Sequence, residues 1–295
     1  MYVQRYYDVR EFIQNVETFL ERNEVANNLL LGILFRLRKE LKLTEQKSEP
    51  FFALVKHRQD IIFVMLMTPP HNMIIYGEGN NLDAAIDQSI LFLQKEEILV
   101  PGVIGPREMA TKFAFSWAQA TGHMSIIKME QMIYRLDEVN EIELSSGRLI
   151  LATQKDIDLV GNWIFEFSKV TSETVSLAEA RRKAEFAIKE SYVFLWEDKI
   201  PVSMALKARP TKNGITVSTV YTPLQFQNKG YATSCVVSLS KLLLSEGYKF
   251  CSLYTDLSNP ISNSIYRKIG YYPIESSIVY SFQVSHTQNK FYDIQ

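Results

Sequence analysis

The sequence predicts a chain of two mixed α/β domains, each a mostly antiparallel sheet flanked by helices. Three observations carry that prediction. The 295 residues amount to about two typical domains of roughly 150. Apolar segments of strand length alternate with amphipathic segments of helix length along the whole chain. A polar stretch near the middle, Asp137–Gly147, interrupts that pattern and divides the chain into domains 1–138 and 146–295, and its acidic cluster reads as a solvated linker.

In the first half, Asn27 or Asn28 caps a helix whose apolar positions Leu30, Leu34, Leu37 and Leu41 recur at helical spacing, ended by Lys47-Ser48-Glu49-Pro50. Strands are expected at Phe51–Lys56, Ile61–Met67 and Met73–Tyr76, and a helix at Leu82–Gln94. Pro101–Gly105 leads into a helix from Pro106 to about Thr121, with Pro at its first position and Gly122 beyond its last. Ile126–Leu136 reads as a strand. The second half opens with strand Arg148–Ala152 and helices at about Asp156–Ser168 and Ser176–Lys189. Strands follow at Tyr192–Glu197, Ile200–Ala208 and Ile215–Tyr221, with turns at Asp198-Lys199 and Asn213-Gly214. Helix Gly230–Glu246, strand Phe250–Asp256, helix Pro260–Ile269 and strand Ile278–Phe282 complete the pattern.

Composition narrows the function. Hydrophobic residues make up 46%, charged 22% and aromatic 12%, which is globular. The 32 Lys and Arg against 33 Asp and Glu lack the basic excess of a general nucleic-acid binder. Cys235 and Cys251 form neither a disulfide framework nor a zinc pattern and read as core in a reducing compartment. His57, His71, His123 and His286 are scattered, so no metal site is expected. The longest apolar run, Leu29–Phe35, falls far short of the roughly 20 residues of a membrane span. Residues Met1–Asp8 carry no apolar signal region, so a cytoplasmic protein with no membrane partner is expected.

The informative stretch runs from Val220 to Ala232: strand, short polar loop, Gly at the exit, then a helix at once. The start of a helix offers unpaired N–H groups and about half a positive charge. Successive N–H groups in such a loop make a concave anion site suited to a pyrophosphate. Further on, Asn259, Ser262 and Tyr266 share one face of their helix at about 100° per residue.

The loop resembles the Q/R-x-x-G-x-G/A signature of the GCN5-related N-acetyltransferase (GNAT) superfamily, with Gln227, Gly230 and Ala232 in the matching places. Asn259 through Tyr266 to Gly270-Tyr271 resembles that family's second motif, N-x(n)-Y-x-x-x-G-F/Y. The resemblance covers roughly 148–283 and implies a GNAT-like second domain. The first half repeats the same outline of elements without the signature, as a degenerate copy would; Met67-Thr68-Pro69-Pro70 echoes Tyr221-Thr222-Pro223, and Gly77–Leu82 stands where the loop would be.

The resemblance implies that acetyl-CoA is the acyl donor. Gln227, Asn228, Lys229, Gly230, Tyr231, Ala232 and Thr233 would surround its pyrophosphate, and Val220, Tyr221 and Thr222 would lie along pantetheine. A backbone N–H near Val220 or Tyr221 would polarise the thioester carbonyl. Asn259 and Ser262 would hydrogen-bond the cofactor, and Tyr266 would protonate the departing thiolate. Gln227 stands where Arg is commoner, which removes one fixed charge. The general base is not identified; Glu173, Glu197 and Asp256 are candidates by type alone. The expected activity is acyl transfer to a small amine or peptide by direct attack. The alternatives are an acyl-CoA sensor without catalysis, or a tandem transferase with an aminoacyl-tRNA or protein acceptor. The sequence is silent on acceptor and oligomeric state.

Overall fold

The computed structural model describes residues 1–40, 49–171 and 174–284. Its contacts divide into two compact units, Met1–Gln131 with Glu275–Gln295, and Met132–Ile274.

The first unit begins with strand β1 (Tyr2–Tyr6) and helix α1 (Val9–Glu21), neither of which the sequence reading identified. Asp8 starts α1 by accepting from the amides of Arg10 (2.6 Å) and Glu11 (3.0 Å), the usual carboxylate cap. Helix α2 (Asn28–Glu40) follows, while the expected Leu41 and the break at Lys47-Ser48 lie outside the described residues. Strands β2 (Phe51–His57), β3 (Asp60–Met67) and β4 (Met73–Gly77) form an antiparallel meander. Helix α3 (Leu82–Lys95), strand β5 (Gly102–Pro106), helix α4 (Arg107–Thr121) and strand β6 (His123–Leu136) come next. Pro106 is therefore the residue before α4, and Gly122 ends it at φ 72°.

In the second unit come β7 (Arg148–Leu151), α5 (Ile157–Lys169), α6 (Leu177–Lys189), β8 (Val193–Asp198), β9 (Ile200–Ala208) and β10 (Gly214–Tyr221). Then follow α7 (Tyr231–Ser245), β11 (Phe250–Asp256), α8 (Pro260–Ile269) and β12 (Tyr272–Val284). The two series match in order. Within the first unit the strands lie β1-β2-β3-β4-β5-β12, and within the second β6-β11-β10-β9-β8-β7. The first is antiparallel except for β4 with β5, and in the second β7, β8, β9 and β10 pair antiparallel while β10 and β11 pair in parallel.

Each sheet buries both faces. In the first unit, α3 and α4 cover one side around Phe113 and Trp117, and α1 and α2 the other around Phe12, which stacks on Phe52 at 5.0 Å. In the second, α7 and α8 pack over Val217, Cys235 and Leu253, while α5 and α6 pack over Leu195 and Met204. The expected mixed, mostly antiparallel fold flanked by helices is what forms.

The division of the chain differs from the sequence expectation of 1–138 and 146–295. The last strand, from Glu275, belongs to the first unit, where Ser277–Ser281 pair with Gly102–Pro106. Conversely, Met132–Leu136 at the end of β6 belong to the second. An open strand edge must be paired or covered, and each unit covers its parallel strand with a strand from the other half of the sequence. Asp137–Gly147 is also no free linker: Asn140 donates its amide to Ile269 O (2.9 Å) and its side chain to Lys268 O (3.0 Å). Asn213-Gly214 is not the tip of a positive-φ hairpin either; Gly214 opens β10, and its missing Cβ leaves room for the Phe250 ring.

A Cβ at Gly102 would run into the carbonyl of Tyr280 on β12. Gly102→Ala is expected to force β5 and β12 apart at a cost of about 1–3 kcal/mol, read as a lower urea midpoint.

Candidate functional site

Strands β10 and β11 pair in parallel only over Gly214–Thr216 against Phe250–Ser252, although both run on, to Tyr221 and Asp256. Beyond that ladder β10 also changes register with β9: Ser218 faces Leu206 and Tyr221 faces Met204, with one extra residue on β10 and Thr219 at φ 49°. Such a bulge bends its strand and re-aims the backbone. The end of β10 is then tied down. Ser203, fully buried, donates to Tyr221 O (3.2 Å) and bonds the Thr222 hydroxyl (2.8 Å), and the Gln227 side chain donates to Thr222 O (2.9 Å).

From there the chain makes one short turn, Leu224–Phe226, and reaches α7 through Gln227, Asn228, Lys229 and Gly230. Asn228 and Gly230 both have positive φ, 61° and 77°, which turns successive N–H groups into one concavity. Two of the loop's carbonyls are occupied: Ser145 Oγ donates to Lys229 O (2.7 Å), and the Ser234 amide to Gly230 O (2.9 Å). The amides of Asn228, Lys229, Gly230, Tyr231, Ala232 and Thr233 donate to no described residue. Gly230 precedes α7 without a side-chain cap, so nothing there competes for these donors. Six unpaired N–H groups at the positive end of a 15-residue helix suit a phosphate-bearing ligand.

The Tyr231 side chain turns away, donating to Asp198 (2.6 Å), which also accepts from Ser146 Oγ (2.8 Å). These hydrogen bonds hold the Asp198 carboxyl below its usual range. Tyr221 faces α5, its ring 6.1 Å from that of Trp163.

The third part of the site is α8. Asn259 caps it, accepting from the Ser262 amide (3.1 Å), so its carbonyl oxygen has a structural job. Asn263, inside the second motif but given no role from sequence, holds the helix to β11. It donates to Asp256 O (3.0 Å) and Asn259 O (2.7 Å), and accepts from Thr255 (2.5 Å) and Tyr134 (3.3 Å). Tyr266 packs edge-on to Tyr271 at 6.0 Å, and its hydroxyl makes no hydrogen bond to a described residue. Burial pushes the phenol up to about 12.

Thus Val220, Tyr221, Thr222 and Gln227–Thr233 come together where β10 enters α7, and Asn259, Ser262 and Tyr266 lie on the helix that follows β11. The proposed bases fare differently. Glu197 pairs with Arg148 at 3.1 Å; Asp256 holds the next turn through Ser258 (2.8 and 2.7 Å); Glu173 lies outside the described residues. Cys235 and Cys251 are buried in the core, and burial pushes each thiol up to about 12.

The corresponding loop of the first unit, between β4 and α3, is built otherwise. Glu78 stands there, accepting from the Tyr76 hydroxyl at 2.7 Å, and places a carboxylate before the helix. The seventh residue of α4 is Phe113, where α8 has Tyr266. The Met67–Pro70 echo falls between β3 and β4, two strands that form a hairpin, and not before a helix.

Residues 202–279 match the family model described as FR47-like protein. No curated protein matches the sequence. Among solved structures, a Drosophila protein aligns with TM-score 0.65 at 10% identity, covering 96% of this chain and 99% of its own. An acetyltransferase of the GNAT family from Colwellia psychrerythraea aligns at 0.59 and 10%, with the same coverage. A tandem GNAT protein from the clavulanic acid biosynthesis pathway aligns at 0.56 and 8%, again covering 96% and 99%. The resemblance carried by the two motifs is borne out: the fold is that of GNAT acetyltransferases, tandem ones included, over nearly the whole chain.

Four groups with ordinary pKa values of 9.0 or 10.0, Tyr76, Cys235, Cys251 and Tyr266, are raised to about 12 in the folded chain. The unfolded chain loses these protons first, so their contribution to stability is full below about pH 9 and falls as pH rises towards about 12. Denaturant midpoints at stepped alkaline pH are expected to decline over that window.

Proposed function

We propose that this protein transfers an acetyl group from acetyl-CoA to an amine, small or peptidyl, by direct attack within a ternary complex. One observation carries the reading: six consecutive amides, Asn228–Thr233, have no partner among the described residues, while the carbonyls of Lys229 and Gly230 among them are bonded. A loop with such a surplus of donors fits a diphosphate better than a cation. The GNAT fold supports the same assignment.

In this reading the amides from Asn228 to Thr233 hold the diphosphate, and the parted edge of β10 at Val220–Thr222 runs beside the pantetheine arm as a strand would. The coenzyme supplies an activated thioester. A main-chain N–H at Val220 or Tyr221 polarises its carbonyl and meets the developing negative charge, as an oxyanion hole does. As the acceptor nitrogen bonds to the acyl carbon and the carbon–sulfur bond breaks, Tyr266 gives its hydroxyl proton to the departing sulfur. Burial keeps this phenol protonated at neutral pH. In the same reading the Asn259 side-chain NH2 and the Ser262 hydroxyl bond the cofactor, while the Asn259 oxygen caps α8.

Thiol release from acetyl-CoA against panels of small amines, peptides and aminoacyl-tRNA tests the proposal. Saturable binding with no transfer to any acceptor would make the protein a sensor, and no binding of any acyl-CoA would remove the reading altogether. Tyr266→Phe is expected to lower kcat tenfold or more, about 1.4 kcal/mol of transition-state stabilisation at the least, with CoA affinity by calorimetry unchanged. The wild-type rate is expected to show no alkaline loss from this phenol below about 12.

A further inference from the structure

The polar segment Asp137–Gly147 bridges the two helices of the site. At one end Asn140 bonds the last carbonyls of α8, Lys268 O and Ile269 O. At the other, Ser145 makes two hydrogen bonds to the start of α7: its amide to Ser234 Oγ (2.8 Å) and its hydroxyl to Lys229 O (2.7 Å). Ser146 extends the attachment, donating to Asp198 (2.8 Å), which also takes the Tyr231 hydroxyl (2.6 Å), while Trp196 Nε1 donates to Ser146 O (3.0 Å). The fit is close, since a Cβ at Gly230 would sit 2.6 Å from Ser145 Oγ.

We propose that Ser145 is a positioning residue of the cofactor loop, fixing the peptide that carries the Lys229 carbonyl so that the N–H of Gly230, on the same peptide plane, stays turned into the anion concavity. A peptide unit is planar, so holding its oxygen on one side sets its N–H on the other. A glycine with wide conformational freedom follows that peptide, and without an anchor on Lys229 O the unit can rotate and present an acceptor to the ligand. The stretch between β6 and β7 is then part of the cofactor site. The inference rests on the acetyl-CoA reading for its effect on binding, but not for its effect on the loop.

The test compares wild type, Ser145→Ala and Ser145→Thr as full chains. Without ligand, 15N relaxation order parameters at Lys229 and Gly230 are expected to fall in Ser145→Ala and recover in Ser145→Thr. With CoA in the calorimeter, Ser145→Ala is expected to raise Kd about tenfold, the order of one lost hydrogen bond to an anchored loop. KM for acetyl-CoA should follow, with kcat and acceptor KM unchanged and Ser145→Thr near wild type. A loop as ordered in Ser145→Ala as in wild type overturns the proposal. So does an equal Kd when wild type binds CoA, or a loss shared evenly by kcat and both KM values. If wild type binds no CoA, the functional reading fails, and the ligand-free order parameters alone still decide the role of Ser145.

Discussion

The site depends on an imbalance between donors and acceptors in one short loop. Backbone N–H and C=O groups come in equal numbers, and a folded chain normally pairs both. Here the acceptors of Tyr221, Thr222, Lys229 and Gly230 are satisfied by Ser203, Gln227, Ser145 and Ser234, while the donors from Asn228 to Thr233 are left over. Three of those four bonds come from side chains, so the surplus is maintained by polar residues that saturate the acceptors. Positive φ at Asn228 and Gly230 gathers the surplus into one place, and the dipole of α7 adds its partial charge there.

The two units share an architecture and differ in the loop that precedes one of their helices. Both have a strand, a turn, and a helix packed back on the sheet, and both pair that strand in parallel with the next. In the first unit the turn carries Glu78 with its carboxylate bonded to Tyr76, and a Cβ on Gly77 would meet Leu82 at 2.5 Å, so helix and strand already close on each other. An anion would meet a like charge in a filled corner. The fold is kept and the loop is not, which is why function has to be argued from the loop and not from the sheet.

Much of this was legible in the sequence because it depends on local pattern. Helices α2 to α8 and most strands follow from apolar spacing and end signals, and the two motifs mark the loop and α8 directly. The misses share a cause. β1 is an edge strand whose residues are mostly half-exposed, so Tyr2–Tyr6 shows no clean alternation. The pairing of β12 with β5 joins residues more than 170 positions apart, and no local signal reports it. Ser145, Ser203 and Asp198 reach the site through tertiary contacts from a polar stretch, a buried strand and a turn, and nothing near them in sequence marks them. Asn263 could have been found, four residues after the cap Asn259 on the same helix face.

The exchanged strand sets a condition on how the chain is made. The strands of the amino-terminal unit up to β5 leave the ribosome first, yet β5 keeps an unpaired edge until Ser277–Ser281 arrive, more than 170 residues later. Folding of that unit therefore finishes only with a segment made long after the rest of it, and in the interval the nascent chain carries an open strand edge of the kind that invites pairing with other chains.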